Sequence, residues 1–272
     1  MGLQVLGHRE DGFHEIVTQL QSIGIGDIVD VQVMEDLDRK VEFVSLQAPK
    51  DWSVRMGLLL DKAMNEIGWS DQGVRVRIEK QIPIGAGLGG SGADYAGVLR
   101  CLGILSGKET VLQGISSSFG SDVPGMFVGG RNLCQGRGEL VKSLPGGENL
   151  WFGVLLPPVC CDTEHMYREV EHHAESGGLD SASTMEGNDF EILARIMYPE
   201  IDQAFQALKG AGAGMVQLSG SGSAVFVVAN EEKQAARCLE QACQQTGYSG
   251  ILCDSKKRGY SILMNEWGVA KR

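Results

Sequence analysis

The sequence predicts an α+β protein built as two domains, and three observations carry that prediction. Segments IVDVQVM at 28–34 and GVRVRIE at 73–79 alternate apolar and polar residues with the period of a half-buried strand. Residues 53–67 and 93–105 instead space their apolar side chains as a helix does. After a turn-rich break at LPGGENL, 144–150, strand-like and helical stretches alternate to the end of the chain. The expected domains are therefore 1–148 and 149–272.

In order, LQVLG at 3–7 reads as a strand, and Asp11-Gly12 in the following REDGFHEI stands where a hairpin turn is expected. Val29, Val31 and Val33 share a face of the next strand, and VEFVSL at 41–46 is a further short one, so the chain opens as antiparallel sheet. Ser53 is the expected N-cap of a helix whose Leu59, Ala63 and Ile67 form an apolar stripe closed by Gly68. The next strand sets Val74, Val76 and Ile78 against Arg75, Arg77 and Glu79 and is stopped by Pro83. A helix at 93–105 turns Ala93, Ala96, Leu99 and Leu102 inward; a weaker one covers 109–119, and Gly-rich, strand-like sequence runs to about 143. WFGVLLP at 151–157, a helix near 163–173, a Gly/Ser-rich loop at 176–187 and helices over 189–208 follow. MVQLSG, SGSAVFVVA, a helix at 231–245, GILCD and YSILM close the chain as a small α+β layer.

Composition narrows the partners. With 24 basic and 35 acidic residues the formal charge is -11, which argues against a nucleic-acid or anionic-membrane surface. The longest apolar runs fall short of a bilayer span and the N-terminus lacks a signal-peptide pattern, so the expected location is the cytoplasm. Cysteines at 101, 134, 160, 161, 238, 243 and 253 form no CxxC pair and are expected as buried, reduced thiols. His172 and His173 are adjacent and diverge on a helix, so no protein-built zinc centre is expected.

The segment that points to chemistry is QIPIGAGLGGSGADYAG, 81–97. It satisfies GxGxxG twice, yet the strand before it is amphipathic and ends in proline, unlike the buried apolar strand of a dinucleotide fold. No lysine follows Gly90, which excludes the P-loop pattern GxxxxGK[ST]. A ligand-free turn is the bland alternative. Against it, each glycine costs about 0.5–1 kcal/mol of backbone entropy relative to alanine, and a helix starts where the glycines end, a ready anion site.

PIGAGLGGSGADYAG resembles the phosphate loop P-x-x-x-G-L-G-S-S/G of the kinase superfamily that includes galactokinase, homoserine kinase, mevalonate kinase and phosphomevalonate kinase. Four further segments resemble the 4-diphosphocytidyl-2-C-methyl-D-erythritol kinase family within it: GHREDGFHEI at 7–16, EKQIPIGAGLGG at 79–90, FGSDVPGMFVGGRNLCQGRGE at 119–139 and LSGSGSAVF at 218–226. The resemblance implies a two-domain small-molecule kinase fold, with an N-terminal mixed sheet with helices and a C-terminal ferredoxin-like α/β layer. It implies ATP and Mg²⁺, and phosphorylation of the substrate's 2-hydroxyl in the non-mevalonate isoprenoid route. A small-molecule substrate is then the expected partner, with metal ligands and oligomeric state open.

Site residues carry over position by position. Pro83, Ile84, Gly85, Ala86, Gly87, Leu88, Gly89, Gly90, Ser91, Gly92 and Ala93 match the ATP loop. Asp122 matches the general base, although an aspartate before Val123-Pro124 also caps turns. Phe13 and His14 match the Tyr-His pair of the cytidine pocket, and Tyr167 an aromatic across the base, with a plain helix-core role as its alternative. Ser219, Gly220, Ser221 and Gly222 match a turn near the phosphates or form a simple hairpin turn.

Three departures stand out. Aligning Gly7 and Asp11-Gly12 puts the family's N-terminal lysine two positions before Met1, so either the natural start lies upstream or the chain is a homologue without that lysine, impaired in catalysis but able to bind the cytidine ligand. Gly92 and Ala93 stand where two serines are usual, leaving Ser91 and Asp94. Trp52, in KDWSVR, stands where a small polar contact is expected. Another small-molecule kinase of the superfamily is the remaining alternative.

Overall fold

A computed structural model describes residues 2–34, 39–43, 51–147, 149–175, 187–264 and 270–271. The first half runs β1 (Leu3–His8), β2 (His14–Gln21), β3 (Ile28–Met34), β4 (Arg39–Phe43), α1 (Trp52–Ile67), β5 (Gly73–Glu79), α2 (Gly90–Ser106) and α3 (Glu109–Ile115). A 3-10 turn at Ser116–Phe119, α4 (Val123–Val128), β6 (Arg131–Gly136) and β7 (Leu140–Ser143) follow. The second half runs β8 (Trp151–Leu156), α5 (Thr163–Glu175), α6 (Glu191–Met197), α7 (Pro199–Gly210), β9 (Val216–Leu218), β10 (Val225–Ala229), α8 (Glu232–Thr246), β11 (Ser249–Asp254), β12 (Leu263–Met264) and β13 (Ala270–Lys271). The chain divides into two compact units: Met1–Gly24, Gly85–Gly89 and Gly130–Lys257 form one, and Ile25–Ile84, Gly90–Gly129 and Arg258–Arg272 the other. Gly147 and Asn149, on either side of the break expected from sequence, both lie in the first.

The first unit holds two antiparallel sheets, in the orders β1-β2-β6-β7 and β11-β8-β10-β9. Numbered from β8, the second sheet reads 4-1-3-2 around the βαββαβ connection, the ferredoxin-like arrangement. Its core forms because helix and strand periods agree. Ala235, Cys238, Leu239 and Ala242 make one buried stripe of α8, while Leu155, Val225 and Val227 line the sheet, with Ala204, Phe205 and Leu208 of α7 in the same cluster.

The second unit has the sheet order β12-β13-β3-β5-β4. Val29 and Val31 of β3 and Val74, Val76 and Ile78 of β5 meet Met56, Leu59, Leu60, Ala63, Met64 and Ile67 of α1 and Val98, Leu99 and Leu102 of α2 in one core. Truncating a side chain as fully enclosed as Leu59 to alanine costs about 2–5 kcal/mol.

Several expectations change. β3 pairs antiparallel with β5, but β4 lies parallel to β5, so the opening of the chain is not wholly antiparallel. Val33, at the end of β3, is exposed rather than buried with Val29 and Val31. The α1 N-cap is Asp51, with Ser53 already inside the helix. Trp52, which stands in place of a polar contact, opens α1 as a buried core residue. Helix α2 begins three residues earlier than the periodicity indicates, and α4 interrupts the stretch read as strand-like. None of the seven cysteines is in a disulfide; Cys134, Cys161, Cys238 and Cys253 are buried, but Cys160 is exposed. The Gly/Ser-rich loop, except residue 187, and the end of VEFVSL lie outside the described residues. Among the described residues no helix is long and apolar enough to cross a membrane.

Candidate active site

In the first unit the glycine loop is built into the protein. Gly87 has φ near +72°, and a Cβ there would run into the carbonyl oxygens of Ser219 and Gly222. Ser219 Oγ donates to the Gly87 carbonyl at 3.0 Å, and the Ala224 N–H donates to the Ala86 carbonyl at 2.9 Å. Two segments at least 132 residues apart in sequence are thereby brought together: Ala86 and Gly87 of the loop, and the turn Ser219–Gly222. The turn is fastened from behind. Asn188 Nδ2 donates to the carbonyls of Leu218 and Gly220 at 3.0 and 2.8 Å, and Ser221 Oγ lies 2.9 Å from Thr163 Oγ1.

The same unit carries the aromatic pair. The β1–β2 hairpin turns through Arg9–Phe13, with the Arg9 N–H donating to the Phe13 carbonyl at 2.8 Å and the Gly12 N–H to the Arg9 carbonyl at 3.1 Å. Arg9 bridges Asp11 at 3.2 Å and Glu15 at 2.5 Å, and its guanidinium holds the Asp11 carboxyl below the usual carboxylate range. This frame delivers Phe13 with its ring exposed and His14 half-buried beside it. The His14 ring stacks on Tyr167 at 4.4 Å between centroids, and Tyr167 meets Phe190 edge-on at 4.8 Å. The Arg137 guanidinium sits 4.7 Å from the Phe13 ring, a cation–π contact.

In the second unit, α2 starts at Gly90, and its first turn carries Ser91 exposed, with backbone N–H groups free of helical partners, as at any helix start. A Cβ at Gly92 would lie 2.9 Å from Met126 Sδ and 3.1 Å from Asp122 Cβ. A serine, usual at this position in the resembling family, would fit here only with the Met126 side chain turned aside and a small shift against Asp122. Asp122 precedes α4 and makes no side-chain cap hydrogen bond, which removes the support for a simple capping role. Its side chain reaches solvent but is crowded by protein, and this partial desolvation pushes its carboxyl above the usual range.

Lys80 lies just beyond β5, with Asp27 and Asp94 as buried partners. Its Nζ pairs with Asp27, donates to Asp94 Oδ2 at 2.9 Å and reaches the Gly90 carbonyl at 3.2 Å. Asp27 Oδ1 accepts the N–H groups of Gln81 and Ile82 at 2.6 and 2.9 Å, so the cluster fastens the strand exit to the α2 start. The three side chains are only 5%, 2% and 1% exposed for Lys80, Asp27 and Asp94. Burial pushes the Asp94 carboxyl up to about 7 against the pull of Lys80, and its Oδ1 has no hydrogen-bond partner among the described residues. Neither Lys80 nor Arg137 follows from local sequence. The hints are that Lys80 falls inside the family-like segment EKQIPIGAGLGG, directly after an alternating strand, and that Arg137 stands between two turn glycines.

Among the described residues there is no group of three or more His, Cys, Asp or Glu able to cage a metal. Magnesium needs no such cage, since one or two protein oxygens and the nucleotide phosphates complete its shell. The exposed Ser91 hydroxyl and the accessible Asp122 carboxylate are oxygen donors of that kind.

A family model described as "GHMP kinases N terminal domain" matches residues 55–130, and one described as "GHMP kinases C terminal" matches residues 171–248. A protein of Caldicellulosiruptor bescii named 4-diphosphocytidyl-2-C-methyl-D-erythritol kinase is 30% identical over 258 residues, 89% of this chain and 90% of its own length. One of the same name from Solibacter usitatus is 30% identical over 94% of this chain and 87% of its own. A crystal structure of 4-(cytidine 5'-diphospho)-2C-methyl-D-erythritol kinase superposes with a TM-score of 0.69 and 26% identity, covering 94% of this chain and 96% of that one. Homoserine kinase from Cytophaga hutchinsonii shares the fold, with a TM-score of 0.65 at 17% identity over 89% of this chain and 95% of its own.

Proposed function

The chain belongs to the 4-diphosphocytidyl-2-C-methyl-D-erythritol kinase family of GHMP kinases, and from that premise we propose that it transfers the γ-phosphoryl group of ATP to the 2-hydroxyl of 4-diphosphocytidyl-2-C-methyl-D-erythritol. The observation that carries this reading is the docking of Ala86 and Gly87 with the Ser219–Gly222 turn. This contact fixes a stretch of loop that carries no bulky side chain, which lets the backbone approach a phosphate closely.

Phosphoryl transfer asks the protein for positioning, charge stabilisation and a proton acceptor. Gly85–Gly89 and the first turn of α2 from Gly90 bind the triphosphate. As the hydroxyl oxygen bonds to the γ-phosphorus and the bond to ADP breaks, Asp122 takes the hydroxyl proton. Its raised pKa makes its carboxylate a stronger base than an ordinary aspartate. Phe13 offers a stacking face to the cytosine and His14 a hydrogen-bonding edge. The exposed Ser91 hydroxyl would help hold the magnesium carried with the nucleotide, an ion that would supply neutralisation of phosphate charge.

The test is ADP release on mixing the protein with ATP, Mg²⁺ and the cytidine substrate. Release dependent on that substrate supports the reading. Calorimetric binding of the cytidine compound without release identifies a silent binding protein, and release with homoserine or a phosphomevalonate instead identifies another kinase of the superfamily.

A further inference from the structure

Helix α5 grips the His14 imidazole from two directions. Tyr167 and Glu171 are four residues apart on α5 and so project from one face. Tyr167 covers the ring's face at 4.4 Å with 27° between planes, and Glu171 Oε1 sits 2.7 Å from Nε2. Phe190, 1% exposed, stands behind Tyr167 at 85°, so the stacking plane is itself held by the core. His8 meets the His14 ring edge-on at 5.4 Å.

The pairing has a chemical consequence. An ionised carboxylate has no proton to give and only accepts, so the imidazole nitrogen facing Glu171 must carry the hydrogen. The hydrogen bond of one ring nitrogen decides the role of the other. With Nε2–H committed to Glu171, Nδ1 is left as the nitrogen that can meet a ligand, and in the neutral ring it is an acceptor. We propose that Glu171 is a positioning residue for substrate recognition: it fixes the tautomer and rotation of His14 so that Nδ1 is presented to the base. This rests on the reading above that His14 meets the cytosine. Glu171 touches the imidazole and acts through it, so its loss weakens substrate binding far more than the chemical step.

Two readouts test this. In the ligand-free protein at pH 8, long-range ¹⁵N–¹H correlation spectra report which nitrogen of each histidine is protonated, with His14→Gln identifying the signals. The wild type is expected to hold His14 in the Nε2–H form alone, and Glu171→Ala to give averaged signals from both tautomers. In kinetics, Glu171→Ala is expected to raise KM for the cytidine substrate about tenfold, with kcat within twofold and KM for ATP unchanged. Glu171→Gln, whose amide oxygen still accepts from Nε2–H, is expected to recover most of the loss. Glu171 is one-third exposed, so these substitutions leave the fold intact, which a melting curve checks. An Nδ1–H tautomer in the wild type, or an unchanged KM in Glu171→Ala, overturns the proposal. Absence of any turnover by the wild type is a failure of the functional reading instead, and the spectra still decide the role of Glu171.

Discussion

Asp94→Asn is expected to make the protein more stable relative to wild type as pH rises. Asp94 and Asp27 share one ammonium, that of Lys80, in a cluster almost without solvent. Burial is the dominant cause that lifts the Asp94 carboxyl from 3.8 to about 7. At 1.36 kcal/mol per pH unit, that is about 4 kcal/mol of native-state preference for the protonated form. The sign follows from linkage. Between these two values the native state holds a proton that the unfolded chain has released, so stability falls as pH rises and levels off above the folded pKa. Asparagine keeps the shape and cannot ionise, so the component disappears. Urea unfolding of both proteins from pH 5.5 to 8.5 measures it, because contributions from all other groups cancel in the difference. That difference should grow by about 2 kcal/mol, toward the asparagine variant, between pH 5.5 and 8.5, most of it below pH 7 and almost none above pH 8. A pH-independent difference would refute the burial argument, since Asp94 would then titrate as an ordinary carboxylate.

Two further predictions concern the reaction. Asp122→Asn should lower kcat by about 100-fold to 10,000-fold with KM for ATP nearly unchanged; a fully active variant in steady-state assays would remove Asp122 from its role. Phe13→Ala removes the exposed stacking face, worth about 1–3 kcal/mol for a base on an aromatic ring. The dissociation constant for the cytidine substrate, measured by calorimetry, should therefore rise about 5-fold to 150-fold, and an unchanged value would move the base elsewhere.

The fold was readable where periodicity is local. β5 was expected with Val74, Val76 and Ile78 inward, and they are among the most enclosed residues in the protein. The parallel pairing of β4 with β5 is the β-α-β crossover that α1 provides, whereas the antiparallel expectation rested on alternation within each strand, which is blind to direction. Helix α4 escaped notice because VPGMFV is too short to show a helical period, and its glycine argues against one. Trp52, a departure from the polar contact usual at its position, gains its reason from the fold: it anchors the start of α1 in the core.

The candidate site was legible as segments and not as contacts. Gly87 and Ser219 were both expected near phosphate, but that one accepts a hydrogen bond from the other is a fact of folding. The buried partners of Lys80 lie 53 and 14 residues away, and His14 finds Glu171 across 157 residues. Such pairings are set by tertiary packing, for which no local pattern exists. Gly92 gains a reason in the same way. Read in sequence it is a missing hydroxyl; in the structure it is the space that lets α2 approach Asp122 and Met126.

Phosphorus-31 spectra of the wild-type protein with ATP, Mg²⁺ and 4-diphosphocytidyl-2-C-methyl-D-erythritol test the central claim most directly. A new phosphomonoester resonance, growing in step with ADP and coming from the methylerythritol 2-hydroxyl, is the predicted result. ATP that stays intact beside bound cytidine substrate, or ADP that accumulates with free phosphate and no new ester, would contradict it.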